Sequence, residues 1–141
     1  MTYLLDTNVC IRYLNGTSPA IRARLQALSS SEVAVCSVVK AELFAGAGKS
    51  VDPERTLARQ TAFLSRFVSM PFDDRAAAVY GQLRSRLEMA GTPLGPMDYQ
   101  IAAIALANDL VLVTHNLREF SRVDKLRLDD WETQSTTVAV E

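Results

Sequence analysis

Met1-Thr2-Tyr3-Leu4-Leu5-Asp6-Thr7-Asn8 contains the stretch that decides the fold. Residues 1–5 form a short apolar run that stops abruptly at Asp6-Thr7-Asn8. A run this brief, apolar on both faces, suits a strand buried in the middle of a sheet. Asp6 then stands at the carboxyl end of that strand, where open α/β sheets place their ligands. A simpler role for Asp6 or Thr7 is to cap the helix that follows. The two roles separate only if other carboxylates are carried to the same place.

Beyond Asp6 the chain alternates helices with short apolar strands. A helix is expected over residues 8–14, stopped by Asn15-Gly16, and another from Ser18-Pro19 to about Ser29. Residues 32–36 (EVAVC) read as a second strand. Ser37 is expected to cap a third helix ending at Gly46, and Asp52-Pro53 to open a fourth reaching about Phe67. A weak strand follows at 68–72, then a long helix from the Asp73 cap to Ala90, closed by Gly91. Pro96 starts a helix through Asn108, residues 110–114 read as a clear strand, and 126–128 as a last one. This order predicts an α/β three-layer sandwich, with a mainly parallel central sheet and helices on both faces. One domain is expected over residues 1–132, followed by a loose tail at 133–141.

Three further acids stand where the pattern does not ask for them. Glu42 shares a helix face with Val38, Val39, Ala45 and Gly46. A lone buried carboxylate costs several kcal/mol unless it is paired or holds a metal. An internal salt bridge, to Lys40 or an arginine, would also explain it. Asp98 lies in the first turn after Pro96, in line with Ile101, Ala102 and Ala105. The helix dipole favours an acid there by about 0.3–1 kcal/mol, but does not explain why it follows the buried stripe. At the end of the 110–114 strand stand Thr114, His115, Asn116 and, one turn on, Glu119. Asn116 with Glu119 also fits a capping box.

Several acids at one sheet end would repel. Two unit charges about 5 Å apart, at an effective dielectric of about 20, cost roughly 3 kcal/mol. A divalent cation relieves this, and oxygen-only ligands suit Mg²⁺ or Mn²⁺ better than zinc. The net charge of −1 does not itself announce a nucleic-acid binder. Setting Asp6, Glu42, Asp98 and Glu119 aside, however, leaves 12 of the 16 acids against 15 basic residues. Arg118, Arg122, Lys125 and Arg127 form a basic cluster suited to a phosphate backbone. No apolar run approaches a membrane span, no export signal is visible, and Cys10 and Cys36 read as buried free thiols in a cytoplasmic protein.

Other signals are weaker. Gly46-Ala47-Gly48-Lys49-Ser50 resembles the end of a phosphate-binding loop, but Leu43 stands where that motif needs glycine and a helix precedes it instead of a strand. His115 is the only histidine and completes no nucleophilic triad. Residues 5–8 are similar to the nucleophile strand of haloacid-dehalogenase-type phosphatases, which carry a second aspartate where this chain has Asn8.

YLLDTNVCI, SVVKAELFAGA, GTPLGPMDYQIAAIAL and LVLVTHNLREFSRV with LRLDDW are spread from the N-terminus to Trp131, nearly the whole length of the chain. In order and spacing they resemble PIN-domain ribonucleases, and among them the VapC-type toxins of bacterial toxin–antitoxin systems. The resemblance implies Mg²⁺-dependent hydrolysis of RNA, often transfer RNA, with Asp6, Glu42 and Asp98 on the family's acidic positions. Asp6, Glu42 and Asp98 are then the implied metal set, with Asp6 and Asp98 foremost as direct ligands. Asn116 departs from the pattern where many members carry a fourth aspartate, and Glu119 is the candidate replacement. Thr7, Thr114 and Asn116 would orient ligands or water, and Arg118 and Arg122 would meet substrate. A homodimer and a VapB-type antitoxin are also implied, with DNA contacted only through the antitoxin. The alternatives are a PIN-like domain that binds RNA or a partner without cutting, and a phosphatase on a similar sheet.

Overall fold

The computed structural model describes residues 1–132; the expected tail at 133–141 lies outside the described residues. Five strands form one sheet in the order β3-β2-β1-β4-β5, with every pairing parallel. They are β1 (Tyr3–Leu5), β2 (Val33–Cys36), β3 (Val68–Met70), β4 (Val111–Val113) and β5 (Leu128–Asp129). Between them run α1 (Thr7–Asn15), α2 (Pro19–Ala27), α3 (Ser37–Gly48), α4 (Pro53–Leu64), α5 (Asp74–Met89), α6 (Pro96–Ala107) and α7 (Leu117–Phe120). The chain winds outward from β1 to β3, then crosses to the other side of β1 for β4 and β5. With right-handed crossovers this puts α1–α4 on one face and α5 and α6 on the other, which gives the expected three-layer sandwich.

The core lies where the sequence is most apolar. Leu4, Leu5, Ala34, Val35, Leu112 and Val113 fill the middle of the sheet with no exposed surface. Ile101 to Ala105 form an unbroken buried run in α6, tight against the sheet. Three cap signals fall where the sequence placed them: Ser18, Asp52 and Asp73 accept from the third residue of α2, α4 and α5, respectively.

Several boundaries differ from expectation. α3 does not stop at Gly46 but continues to Gly48, because Ala47 is buried and anchors one more turn. Ser37 does not cap α3; the cap position is Cys36, with Ser37 already inside the helix. α4 ends at Leu64, short of Phe67, although Phe63, Leu64 and Phe67 are all buried. β3 covers only Val68–Met70, and the last strand is Leu128–Asp129, not 126–128. A 3₁₀ turn at Ser30–Glu32 was not foreseen, although Ser29 and Glu32 close a capping box there.

Candidate active site

Strand register delivers Asp6 to the place where the winding reverses. Because the chain leaves β1 in one direction and returns beside it at β4, a crevice opens between their carboxyl ends. Leu5 pairs with Val113, so Asp6 stands next to Thr114. The Thr114 hydroxyl donates to Asp6 Oδ2 at 2.7 Å, joining residues 108 positions apart. The Thr7 amide donates to Asp6 Oδ1 at 2.8 Å. Asp6 therefore caps α1 and also faces the crevice. Burial raises its carboxyl pKa above the ordinary value; the bonds from Thr114 and Thr7 oppose this, and the charge of Glu42 adds to it.

Glu42 enters from α3. Val38 and Val39, one turn earlier, are buried, whereas Ala45 and Gly46, one turn later, are exposed. The helix face thus leaves the core at Glu42. No salt bridge holds this side chain: the ion pairs among the described residues all lie elsewhere. Its partner is the Thr7 hydroxyl, which donates to Glu42 Oε1 at 2.8 Å. Thr7 thus fixes Asp6 with its backbone and Glu42 with its side chain.

Asp98 arrives on the first turn of α6, above the buried Ile101, Ala102 and Ala105. A Cβ placed on Gly95 would lie 3.8 Å from Asp98 Oδ2, so the carboxylate lies over the bare end of the helix. Its pKa is pushed up to about 6, first by burial and then by the charges of Asp6, Glu119 and Glu42. Four acids from four different elements therefore share one electrostatic neighbourhood.

The β4 end holds the remaining candidates. The expected capping box at Asn116 and Glu119 does not form, and Asn116 makes no side-chain cap bond. Its backbone N–H donates to Thr114 Oγ1 at 3.0 Å, so Glu119 has no free amide to reach back to. The basic cluster also divides. Arg118 is exposed on α7, while Arg122, also exposed, donates to the Pro93 carbonyl at 2.9 Å. Arg127 pairs with Asp109 at 2.9 Å. Because β5 runs parallel to β4, Lys125 and Arg127 precede it and lie at the opposite end of the sheet from Asp6.

The four acids approach one another without closing on a point. Among the described residues, a different set, His115, Asp130 and Glu132, brings three ligand-type atoms within 4.8 Å of one another. That contact escaped the sequence reading. It is accounted for by partners within the corner: His115 Nδ1 hydrogen-bonds Asp130 Oδ2 at 3.0 Å, and Arg12 pairs with Glu132 at 3.2 Å. None of Asp6, Glu42, Asp98 and Glu119 joins an ion pair among the described residues, so their mutual repulsion keeps them further apart. Cys10 and Cys36 are buried and free, as expected. Burial pushes the Cys36 thiol up to about 11 and Cys10 higher still, so neither is a nucleophile.

Comparison with known proteins gives this geometry a family. The PIN domain matches residues 3–126. The tRNA(fMet)-specific endonuclease VapC of Salmonella typhimurium is 42% identical over 131 residues, covering 93% of this chain and 98% of the relative. Ribonuclease VapC2 of Rickettsia felis is 36% identical over 133 residues, covering 94% and 99%. Among solved structures, DNA-bound VapBC from Salmonella typhimurium superposes with a TM-score of 0.88 at 41% identity, over 93% of this chain and 98% of that one. VapBC2 from Rickettsia felis, bound to a DNA fragment from its promoter, gives 0.86 at 35%, over 93% and 99%. Matches that run nearly end to end in both chains admit one assignment: this chain belongs to the PIN-domain family, as a ribonuclease of the VapC kind.

Proposed function

We propose that the chain is the toxin of a toxin–antitoxin pair and hydrolyses phosphodiester bonds of structured RNA, transfer RNA foremost, in a reaction that depends on Mg²⁺ or Mn²⁺. One observation carries this reading: Asp98, with its pKa pushed up to about 6, feels the charges of three other carboxylates, and none of the four acids joins an ion pair among the described residues. Such an oxygen-only set fits a hard divalent cation and does not suit zinc. Asp6 and Asp98 would hold the ion, with Glu42 and Glu119 completing its surroundings. When bound, the ion supplies a Lewis acid that acidifies water and polarises the scissile phosphodiester.

The protein's own groups do the rest. Hydrogen bonds from Thr114 and the Thr7 amide favour the ionised form of Asp6 and fix its plane. Each Asp6 oxygen accepts one such bond, which leaves lone pairs free for an ion. The Thr7 hydroxyl aims Glu42, and Thr114 also receives the Asn116 amide, which sets the path of the chain into α7. Exposed Arg118 would meet the RNA backbone. Arg122, by contrast, already holds the loop before Asp98. In the VapBC relatives a VapB partner is present with DNA. By analogy, a cognate antitoxin would neutralise this chain and carry any DNA contact, with the toxin acting as a homodimer in the cytoplasm. Among the described residues no helix is long and apolar enough to cross a membrane.

The test is cleavage of bacterial initiator transfer RNA by the purified protein with Mg²⁺, in excess EDTA, and with Asp98→Asn. Cleavage should occur only in the first case, while the variant keeps its circular dichroism. Undiminished cutting in excess EDTA would overturn the mechanism.

A further inference from the structure

We propose that three arginines gathered at the C-terminal end of α1, Arg22, Arg59 and Arg66, form a seat for the RNA phosphate backbone about four nucleotides from the scissile bond. This inference rests on the ribonuclease reading. Residues 7–31 hold three arginines and no acid, and residues 55–72 again hold three arginines and no acid. In a chain of net charge −1, such stretches concentrate positive charge on one side. They supply α1, α2 and most of α4, which share one face of the sheet.

The fold brings these arginines from separate places to the last turn of α1. Arg59, on α4, donates to the Leu14 carbonyl. Arg66, just after α4, donates from Nη1 to the Tyr13 hydroxyl at 3.3 Å. Arg22, on α2, lies against Gly16, where an added Cβ would be 3.7 Å from Nη2. All three are exposed, and none joins an ion pair among the described residues. Arg12 and Arg24, by contrast, pair with Glu132 and Asp129. The carbonyl end of a helix carries only about half a unit of negative charge, which a single arginine offsets. The excess positive charge therefore points to an anion outside the protein.

Two observations select a polynucleotide as that anion. The first is continuity: one groove is lined by Glu42 and also by Arg59, Leu14 and Asn15, so it joins the arginines to the carboxylate crevice. Four carboxylates repel the backbone that the crevice must receive, and a cationic surface within reach offsets that repulsion. The second is spacing. α1 begins at the crevice with Thr7 and ends at the arginines with Asn15, and its nine residues span about 13 Å. At about 3.4 Å per nucleotide of a stacked strand, that distance is about four nucleotides. An acidic peptide on the arginines could not continue into a crevice of four carboxylates, which disfavours that occupant. Guanidinium forks match phosphate oxygens and read no base, so the seat sets how the strand is laid and not its sequence.

The experiment measures binding of initiator transfer RNA to the Asp98→Asn protein over a range of salt concentrations, by fluorescence anisotropy. Adding Arg22→Gln, Arg59→Gln or Arg66→Gln should each reduce the slope of log affinity against log salt by about 0.7–0.9, and adding all three by about 2–3. Arg59→Lys and Arg66→Lys keep the charge and should keep the slope. Phosphate-ethylation interference should mark phosphates about four nucleotides from the bond that the wild type cuts, and the marks should vanish in the triple variant. Arg22→Gln alone carries the comparison should the triple variant fail to fold. Unchanged slopes in folded variants, or marks that survive the triple substitution, would overturn the seat. So would variants that bind the RNA normally but lose binding to polyglutamate, which would assign the arginines to an acidic protein partner. The predicted slopes together with a wild type that cuts no RNA would sink the nuclease reading and leave the seat standing.

Discussion

Thr7 bonds to two carboxylates at once, and removing only its hydroxyl isolates one of those bonds. Thr7→Val keeps the amide on Asp6 and frees Glu42. Losing a group that orients a ligand typically costs about 10–100-fold in metal affinity or activity. Cleavage titrated with Mg²⁺ should show a loss of that order in Thr7→Val and recovery in Thr7→Ser. Equal activity in all three proteins would remove Thr7 from the site. Asp98 yields a pH prediction. Its folded pKa of about 6 lies above the ordinary 3.8, so the folded state holds the proton more tightly than the unfolded chain. That contribution to stability is complete below about pH 4 and is lost as pH rises through about 6. Without metal, the melting temperature should therefore fall between pH 5 and 7, and fall less in Asp98→Asn. Identical slopes would show that burial and the neighbouring charges do not raise the Asp98 pKa. Asp6, Glu42 and Asp98 were legible in the sequence because each broke a pattern: a strand end, an apolar helix stripe, a core-facing first turn. The Thr7–Glu42 and His115–Asp130 bonds were not, because partners 35 and 15 residues apart meet only through register.

α1 shows what an element can and cannot announce. Its end at Asn15-Gly16 was readable because Gly16 adopts the left-handed conformation, with φ of 68°. Gly16→Ala should cost about 1 kcal/mol or more in a urea melt, while cleavage per folded molecule stays unchanged. A neutral result would mean that the cap is not strained by a side chain. α3 misled at Gly46, since glycine ends a helix only when nothing beyond it is anchored, and here Ala47 is. α7 has four residues, too few to show a period.

The whole molecule is a sheet wound so that chain order matters less than strand order. Setting β1 in the middle brings residues 6, 42, 98 and 119 towards one end; alternation of strands with helices foretold the parallel sheet but not the strand order that does this. Bringing carboxylates together costs stability, which a cation should restore by binding only the folded state. Millimolar Mg²⁺ or Mn²⁺ should raise the melting temperature of the wild type, and do so much less in Asp6→Asn and Asp98→Asn. The most direct test is anomalous diffraction from crystals soaked in Mn²⁺. A peak within bonding distance of the Asp6 and Asp98 carboxylates, with Glu42 and Glu119 around it, is predicted. A peak only at His115, Asp130 and Glu132, or none at saturating metal, would contradict the proposal that the four acids form a metal-dependent nuclease site.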